Sequence, residues 1–312
     1  MATPSPLRKI APWIVAAAML VALFSRIPIA DAWQAARTAR LEIFLPAMMA
    51  AVTFWFLVES RAFAYLFSRF NAPVSWSEAR SLRGTTYLLT PINWNLGTAG
   101  IILHLRQSKS IGAVESGSTM LFYSLIDVAV LAGLALLGLS LLAESTTVTS
   151  LRTGAWIFLA FQLVFMALFM VPAPDWRWLS RLRGLTIFRT HGLATPRDAL
   201  TLMALRGLYF SGFAGIFWLG SHSFRVDVPL DLATAAMPVI LLAGTLPITP
   251  GGLGTQAAAM LLFFSPHGDE AAILAFGLVY PVALALGRCV VGLFYLRDLA
   301  AMRRAPPPGA PA

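Results

Sequence analysis

The chain has 312 residues, 58% of them hydrophobic and only 12% charged, with a formal net charge of +9. A mean hydropathy of +0.74 excludes a water-soluble globule and identifies an integral membrane protein. The single cysteine, Cys289, excludes a disulfide framework and any cysteine-based metal site.

Apolar runs lie near residues 11–29, 43–59, 116–143, 152–172, 199–221 and 270–296. Each is about long enough for a helix to cross a hydrocarbon core of roughly 30 Å. Arg8 and Lys9 ahead of the first run imitate a secretory signal, but the run reads as the first span. Two further stretches, 84–103 ("GTTYLLTPINWNLGTAGIIL") and 231–266, are apolar but interrupted by proline and glycine. If both return to the side they enter, sixteen lysines and arginines face one side and five the other, with Arg206 and Arg288 inside spans. If 84–103 alone crosses, the count becomes eight against thirteen, which the positive-inside rule rejects. A crossing by both, eleven against ten, is disfavoured. The expected topology is multi-pass in a cell (inner) membrane, with both termini cytoplasmic.

The interrupted stretches resemble each other. "PINWNLGTA" begins at Pro91 and "PITPGGLGTQA" at Pro247, 156 positions later, and the second spans of the two halves start the same distance apart. Each half reads span, span, hairpin, span, and three crossings in the first half invert the second. The expected fold is therefore an all-α polytopic membrane protein, with six full spans plus two re-entrant helical hairpins arranged as an inverted repeat. Residues 1–145 form the first membrane repeat, 146–300 the second, and 301–312 a disordered tail.

A helix breaker inside hydrocarbon is tolerated only where protein or a wet cavity surrounds the freed backbone groups. The expected shape is two half-helices meeting at mid-bilayer, breaking near Pro91 to Gly97 in the first hairpin. In the second, a half-helix beginning after Gly254 would aim free N–H groups at an anion such as a lipid phosphate. Gly251, Gly252 and Gly254 permit close approach, and Thr249, Thr255 and Gln256 add hydrogen bonds, as do Asn93, Asn95 and Thr98 in the first half. The alternative is a kinked span with glycine packed against a neighbouring helix. Asp127 stands about 16 Å into its span and reads as the only carboxylate at depth. Arg288, nine residues from the inner end of the last span, could pair with Asp127 or with lipid phosphate, either as part of the site or as a structural pair. Arg206 reads as a snorkelling anchor. His104, His191, His222 and His267 fall in separate loops or span ends, so neither a metal site nor a cofactor is expected.

"PITPGGLG", "SLIDVAVLAGLALLG" and "WFLVESRAFAYLFSRFNAPVSWSEARSL" together resemble the transmembrane-region family of lysylphosphatidylglycerol synthases, also described as flippase-like proteins. The resemblance covers almost the whole chain and implies lipid translocation. In the multiple peptide resistance factor the corresponding membrane module is assigned the flipping of an aminoacylated phospholipid that a separate soluble domain makes. No such soluble domain is expected within these residues. Family members commonly carry an acid three positions after the last glycine of the motif and an acidic-basic pair ahead of the aspartate. Here those positions are Ala257, Tyr123 and Ser124, which argues against a cationic headgroup.

The expected function is a flippase-like transporter, not an enzyme, moving a phospholipid or lipid-linked headgroup between leaflets. The alternatives are a membrane-embedded lipid-modifying transferase or a non-catalytic subunit of such a complex. Expected partners are the lipid itself and anionic lipids at the basic 175–197 loop; nucleic acid is not expected. A separate lipid-modifying enzyme and a second copy of the chain stay open.

Overall fold

The computed structural model describes residues 29–88, 90, 94–170, 177–245 and 253–298. The expected first span thus lies outside the described residues except for its last position, as do the tail and most of both breaker motifs. Among the described residues the chain is helical and no strand is present.

A short helix α1 (Ile29–Thr38) precedes α2 (Leu41–Phe70), α3 (Trp76–Tyr87), α4 (Trp94–Lys109), α5 (Ala113–Leu141) and α6 (Thr146–Met170). Short helices α7 (Arg177–Arg183) and α8 (Arg189–Leu193) lead to α9 (Pro196–Ser223), α10 (Leu230–Thr245), α11 (Leu253–Phe264) and α12 (Glu270–Leu293). Five of these, α2, α5, α6, α9 and α12, are long and apolar enough to cross a membrane, with mean hydropathy between 1.4 and 2.2. α2 corrects an expected boundary: the span does not stop at residue 59 but continues as one helix to Phe70. At 30 residues it is about 45 Å long, more than the hydrocarbon core requires.

Both interrupted stretches are helical pairs. α3 packs against α4 and α10 against α11. Helices of 12 and 16 residues are about 18 and 24 Å long, short of a full crossing. The helices after both breaker motifs start earlier than expected. α4 already begins at Trp94, so Asn95, Gly97 and Thr98 are helical, and α11 begins at Leu253, before Gly254. α3 starts with a reciprocal cap: Ser75 Oγ accepts from Glu78 N (3.2 Å), while Glu78 Oε2 accepts from Ser75 N (2.7 Å).

Cα packing divides the chain into two units, each drawing on both halves of the sequence and each holding one hairpin. The first comprises the described parts of Met1–Ala51, Leu131–Thr153 and Ser211–Ala285. Its core includes Phe44, whose ring meets Phe224 and Phe276 edge-on at 5.7 and 6.0 Å. α5 and α10 approach closely there: a Cβ added at Gly138 would sit 2.5 Å from the Ala235 Cα. The second unit comprises the described parts of Val52–Val130, Gly154–Phe210 and Leu286–Ala312, with Phe63, Phe67, Phe70, Phe122 and Tyr123 in its core. α6 is the least embedded span, with 11% of its apolar window buried, against 50% for α5.

Candidate functional site

The second unit holds two ion pairs in which Glu59, Arg83 and Arg206 are buried and the Asp127 side chain is 15% exposed. In hydrocarbon or protein interior an isolated charge is prohibitively expensive, so each charge here has a partner within hydrogen-bonding reach. Glu59 of α2 accepts from Arg83 Nε of α3 at 2.7 Å, and the two side chains are 1% and 3% exposed. Tyr87, one helical turn beyond Arg83, directs its hydroxyl at the same carboxylate oxygen (3.4 Å) and its ring lies 4.6 Å from the guanidinium. Asp127 of α5 is gripped by Arg206 of α9 through two bonds, Nε to Oδ1 and Nη2 to Oδ2, the latter at 3.0 Å. The Arg206 guanidinium also lies over Tyr209 (3.8 Å), Tyr123 (4.9 Å) and Phe210 (4.9 Å), an aromatic sleeve that stabilises a desolvated cation.

Tyr123 links the two pairs. Its ring faces Arg206, and it lines a small cavity of about 10 Å³ with Glu59, Phe63, Arg83, Met120 and three residues of the first hairpin, Thr90, Thr98 and Ile101. Arg288 of α12 joins from another side, its guanidinium 5.6 Å from the Tyr87 ring. Three guanidiniums thus gather around two carboxylates. Among the described residues, Arg206 Nη1 and the Tyr123 hydroxyl are buried without a hydrogen-bond partner. Two buried donors and an excess of positive charge suit an anion.

Three expectations are corrected by this geometry. Arg206 is not a snorkelling anchor; it is 1% exposed and spends its charge on Asp127. Asp127 pairs with Arg206, not Arg288. Nor is Asp127 the only deep carboxylate, since Glu59 is buried inside the extended α2. Glu59, Arg83, Tyr87 and Tyr209 were not singled out by sequence. The signal for Glu59 was there: "WFLV" before it and "AFAYLF" after it make one apolar run broken only by "ESR".

Of the other sequence-predicted site residues, Asn93, Thr249, Gly251 and Gly252 lie outside the described residues, and only the backbone of Asn95 is described, within α4. Thr98 lines the cavity. In the first unit, Gly254, Thr255 and Gln256 form the first turn of α11; Gly254 and Thr255 are buried. The Gln256 side chain lies on the face of Gly244, where an added Cβ would meet its Nε2 at 2.2 Å, so glycine there is what lets Gln256 fold back onto α10. Ala257 is fully buried, and a Cβ added at Gly277 of α12 would approach its Cα and Cβ to 3.1 Å. A longer acidic side chain at that position would be buried against α12.

Among the described residues no group of three or more potential metal-ligating side chains occurs. His191, expected as a loop or interface residue, is fully buried.

Long apolar helices, paired half-length helices and ion pairs sequestered within the protein define a polytopic α-helical membrane protein with a buried polar centre. The model of one family, the lysylphosphatidylglycerol synthase TM region, matches residues 10–292, and the chain belongs to that family. A comparison with curated proteins finds no match. Membership ties the chain to a membrane lipid-related function.

Proposed function

We propose that the protein is a lipid translocator, carrying a phospholipid or lipid-linked headgroup between leaflets while the acyl chains stay in hydrocarbon. The observation that carries this reading is the pair of unsatisfied buried donors, Arg206 Nη1 and Tyr123 Oη, in a cluster with one guanidinium more than it has carboxylates. A phosphate entering beside them would complete their hydrogen bonds and offset the excess charge. Thr98 and Thr90 bring the first hairpin to the same cavity, which supports a role for the breaker motif in binding. The second hairpin, α10–α11, with its breaker 156 positions on from the first, supports an inverted repeat, the architecture of carriers whose site opens to each side in turn. On this reading the protein sits in the cell membrane with both termini cytoplasmic and acts without catalysis, as the lipid-moving member beside any lipid-modifying enzyme.

The experiment is transfer of short-tailed fluorescent phospholipids across proteoliposome membranes, compared over several headgroups. The wild type is expected to accelerate transfer of phosphate-bearing lipids. Arg288→Gln, which removes the cation that no carboxylate holds among the described residues, is expected to slow the initial rate at matched protein density. No acceleration by wild-type protein with any headgroup would overturn the reading.

A second reading, a membrane-embedded transferase, is favoured by one observation: two carboxylates, the buried Glu59 and the part-buried Asp127, stand where a general base could act. Both are already engaged by arginines, Glu59 by Arg83 and Asp127 by Arg206. Chromatography of lipids from the same liposomes distinguishes this reading, because a transferase leaves a modified headgroup and a translocator does not.

A further inference from the structure

Residues 180–195, ahead of α9, are built as a shelf with one face fastened and the other open. Its fastened face is specific. Arg183 Nε donates to the Leu168 carbonyl (3.0 Å) and Arg189 Nη1 to the Phe70 carbonyl (3.3 Å). Thr190 N donates to Ser118 Oγ (3.0 Å), and the Thr190 and Thr119 hydroxyls meet at 3.0 Å. Next to these bonds His191 is seated in a cage of phenyl rings, with centroids of Phe122, Phe188, Phe169 and Phe165 at 5.2, 5.7, 5.8 and 6.3 Å. A linker that merely spanned two helices would need none of this.

The open face has a different chemistry. Leu182, Leu185, Ile187 and Leu193 are 37%, 48%, 37% and 47% exposed. Arg181 and Arg197 are exposed beside them. The stretch 177–197 contains no acidic residue, and Asp198, which follows it, is buried and bound by Thr195, Tyr65 and Arg69. Aliphatic side chains interleaved with arginines, with no carboxylate between them in sequence, match the boundary between acyl chains and anionic headgroups.

We infer that this face is a docking surface for the anionic phospholipids of the adjoining leaflet: Leu182, Leu185, Ile187 and Leu193 enter the acyl boundary, while Arg181 and Arg197 bind lipid phosphates. The pinned face fixes the spacing of these groups in advance, so the surface keeps its selectivity only while the cage around His191 holds. The inference does not depend on translocation.

The test places a nitroxide at Leu185→Cys in a Cys289→Ser background of the full chain, reconstituted in phosphatidylcholine vesicles with and without phosphatidylglycerol. Depth is read from relative collision with oxygen and a water-soluble nickel chelate. The label is expected to sit among acyl chains when phosphatidylglycerol is present and to move toward water in its absence or at high salt. Arg181→Gln with Arg197→Gln is expected to abolish the lipid dependence, each arginine contributing about fivefold to anionic-lipid preference. Phe188→Ala, which keeps every charge, is expected to abolish it as well. Equal depth in the two vesicle types overturns the inference, and so does a label that stays in water in both. Because the probe reports depth alone, a chain that moves no lipid can still pass this test, and a working translocator can fail it.

Discussion

Arg206 holds Asp127 from a position 79 residues away in sequence, using Nε and Nη2 and leaving Nη1 buried with no partner among the described residues. Breaking such a pair on one side leaves an uncompensated buried charge, at a cost of about 3–5 kcal/mol. Asp127→Asn and Arg206→Gln are each expected to lower thermal stability in detergent by that order. The double variant should recover part of the loss, because both charges are gone. If the two single effects simply add, the pair is not coupled as the geometry requires.

Close helix approach gives a second expectation. Gly138→Ala places a Cβ against the Ala235 backbone, which cannot move aside as a flexible side chain would, and is expected to destabilise by about 1–3 kcal/mol. Gly133, in the same helix, has nothing within 4 Å of an added Cβ, so Gly133→Ala should be neutral or mildly favourable. Thermal unfolding of the two variants side by side checks the contrast; equal behaviour contradicts the packing.

The seat of His191 predicts a pH dependence. Desolvation by burial holds this imidazole down to about 4 from an ordinary 6.5. The unfolded chain therefore takes up a proton at a pH where the folded one stays neutral. The stability contributed by this site is whole above about 6.5 and is lost progressively as the pH falls toward 4. His191→Phe should flatten that part of the profile, measured as unfolding temperature against pH, without altering the plateau at neutral pH in the same direction as a charge loss would. An unchanged slope in the variant would assign the pH dependence to other groups.

Topology offers a fourth. A hairpin that returns to its starting side puts the α2–α3 and α4–α5 connections on one face of the membrane. In a Cys289→Ser background, Ala72→Cys and Ser110→Cys should be labelled by the same membrane-impermeant maleimide, added from the same side. Labelling from opposite sides would make α3–α4 a crossing.

Much of this architecture was legible in the sequence, and the reasons are physical. Proline and glycine act locally, so "PINWNLG" and "PITPGGLG" announced the two breaks, and α3–α4 and α10–α11 flank them. Apolar length is also local, and five spans of the described chain follow from it. The partners of charged residues are not local. Arg206 looked like an anchor because depth along its own helix was the only measure of its surroundings, whereas its environment is set by Asp127, Tyr123 and Tyr209. Glu59 was hidden because "ESR" resembles the polar end of a span, and α2 continues through it. His191 falls between spans in the sequence, but the rings that bury it belong mostly to α5 and α6.

The separation between Asp127 and Arg206 also sets a timetable for the chain's own biogenesis. Synthesis at about 5–20 residues per second leaves roughly 4–16 seconds between the emergence of the acid and that of its arginine. During that interval α5 cannot settle among lipids with its carboxylate bare, so it must wait against the insertion machinery or against α2–α4, whose own pair, Glu59 and Arg83, is complete only 24 residues after it begins. In nascent chains arrested before Arg206, α5 should accordingly crosslink to the insertion machinery, and in chains arrested well after it the crosslink should be lost. The order in which opposite charges leave the ribosome thus decides when this protein can let go of its helpers.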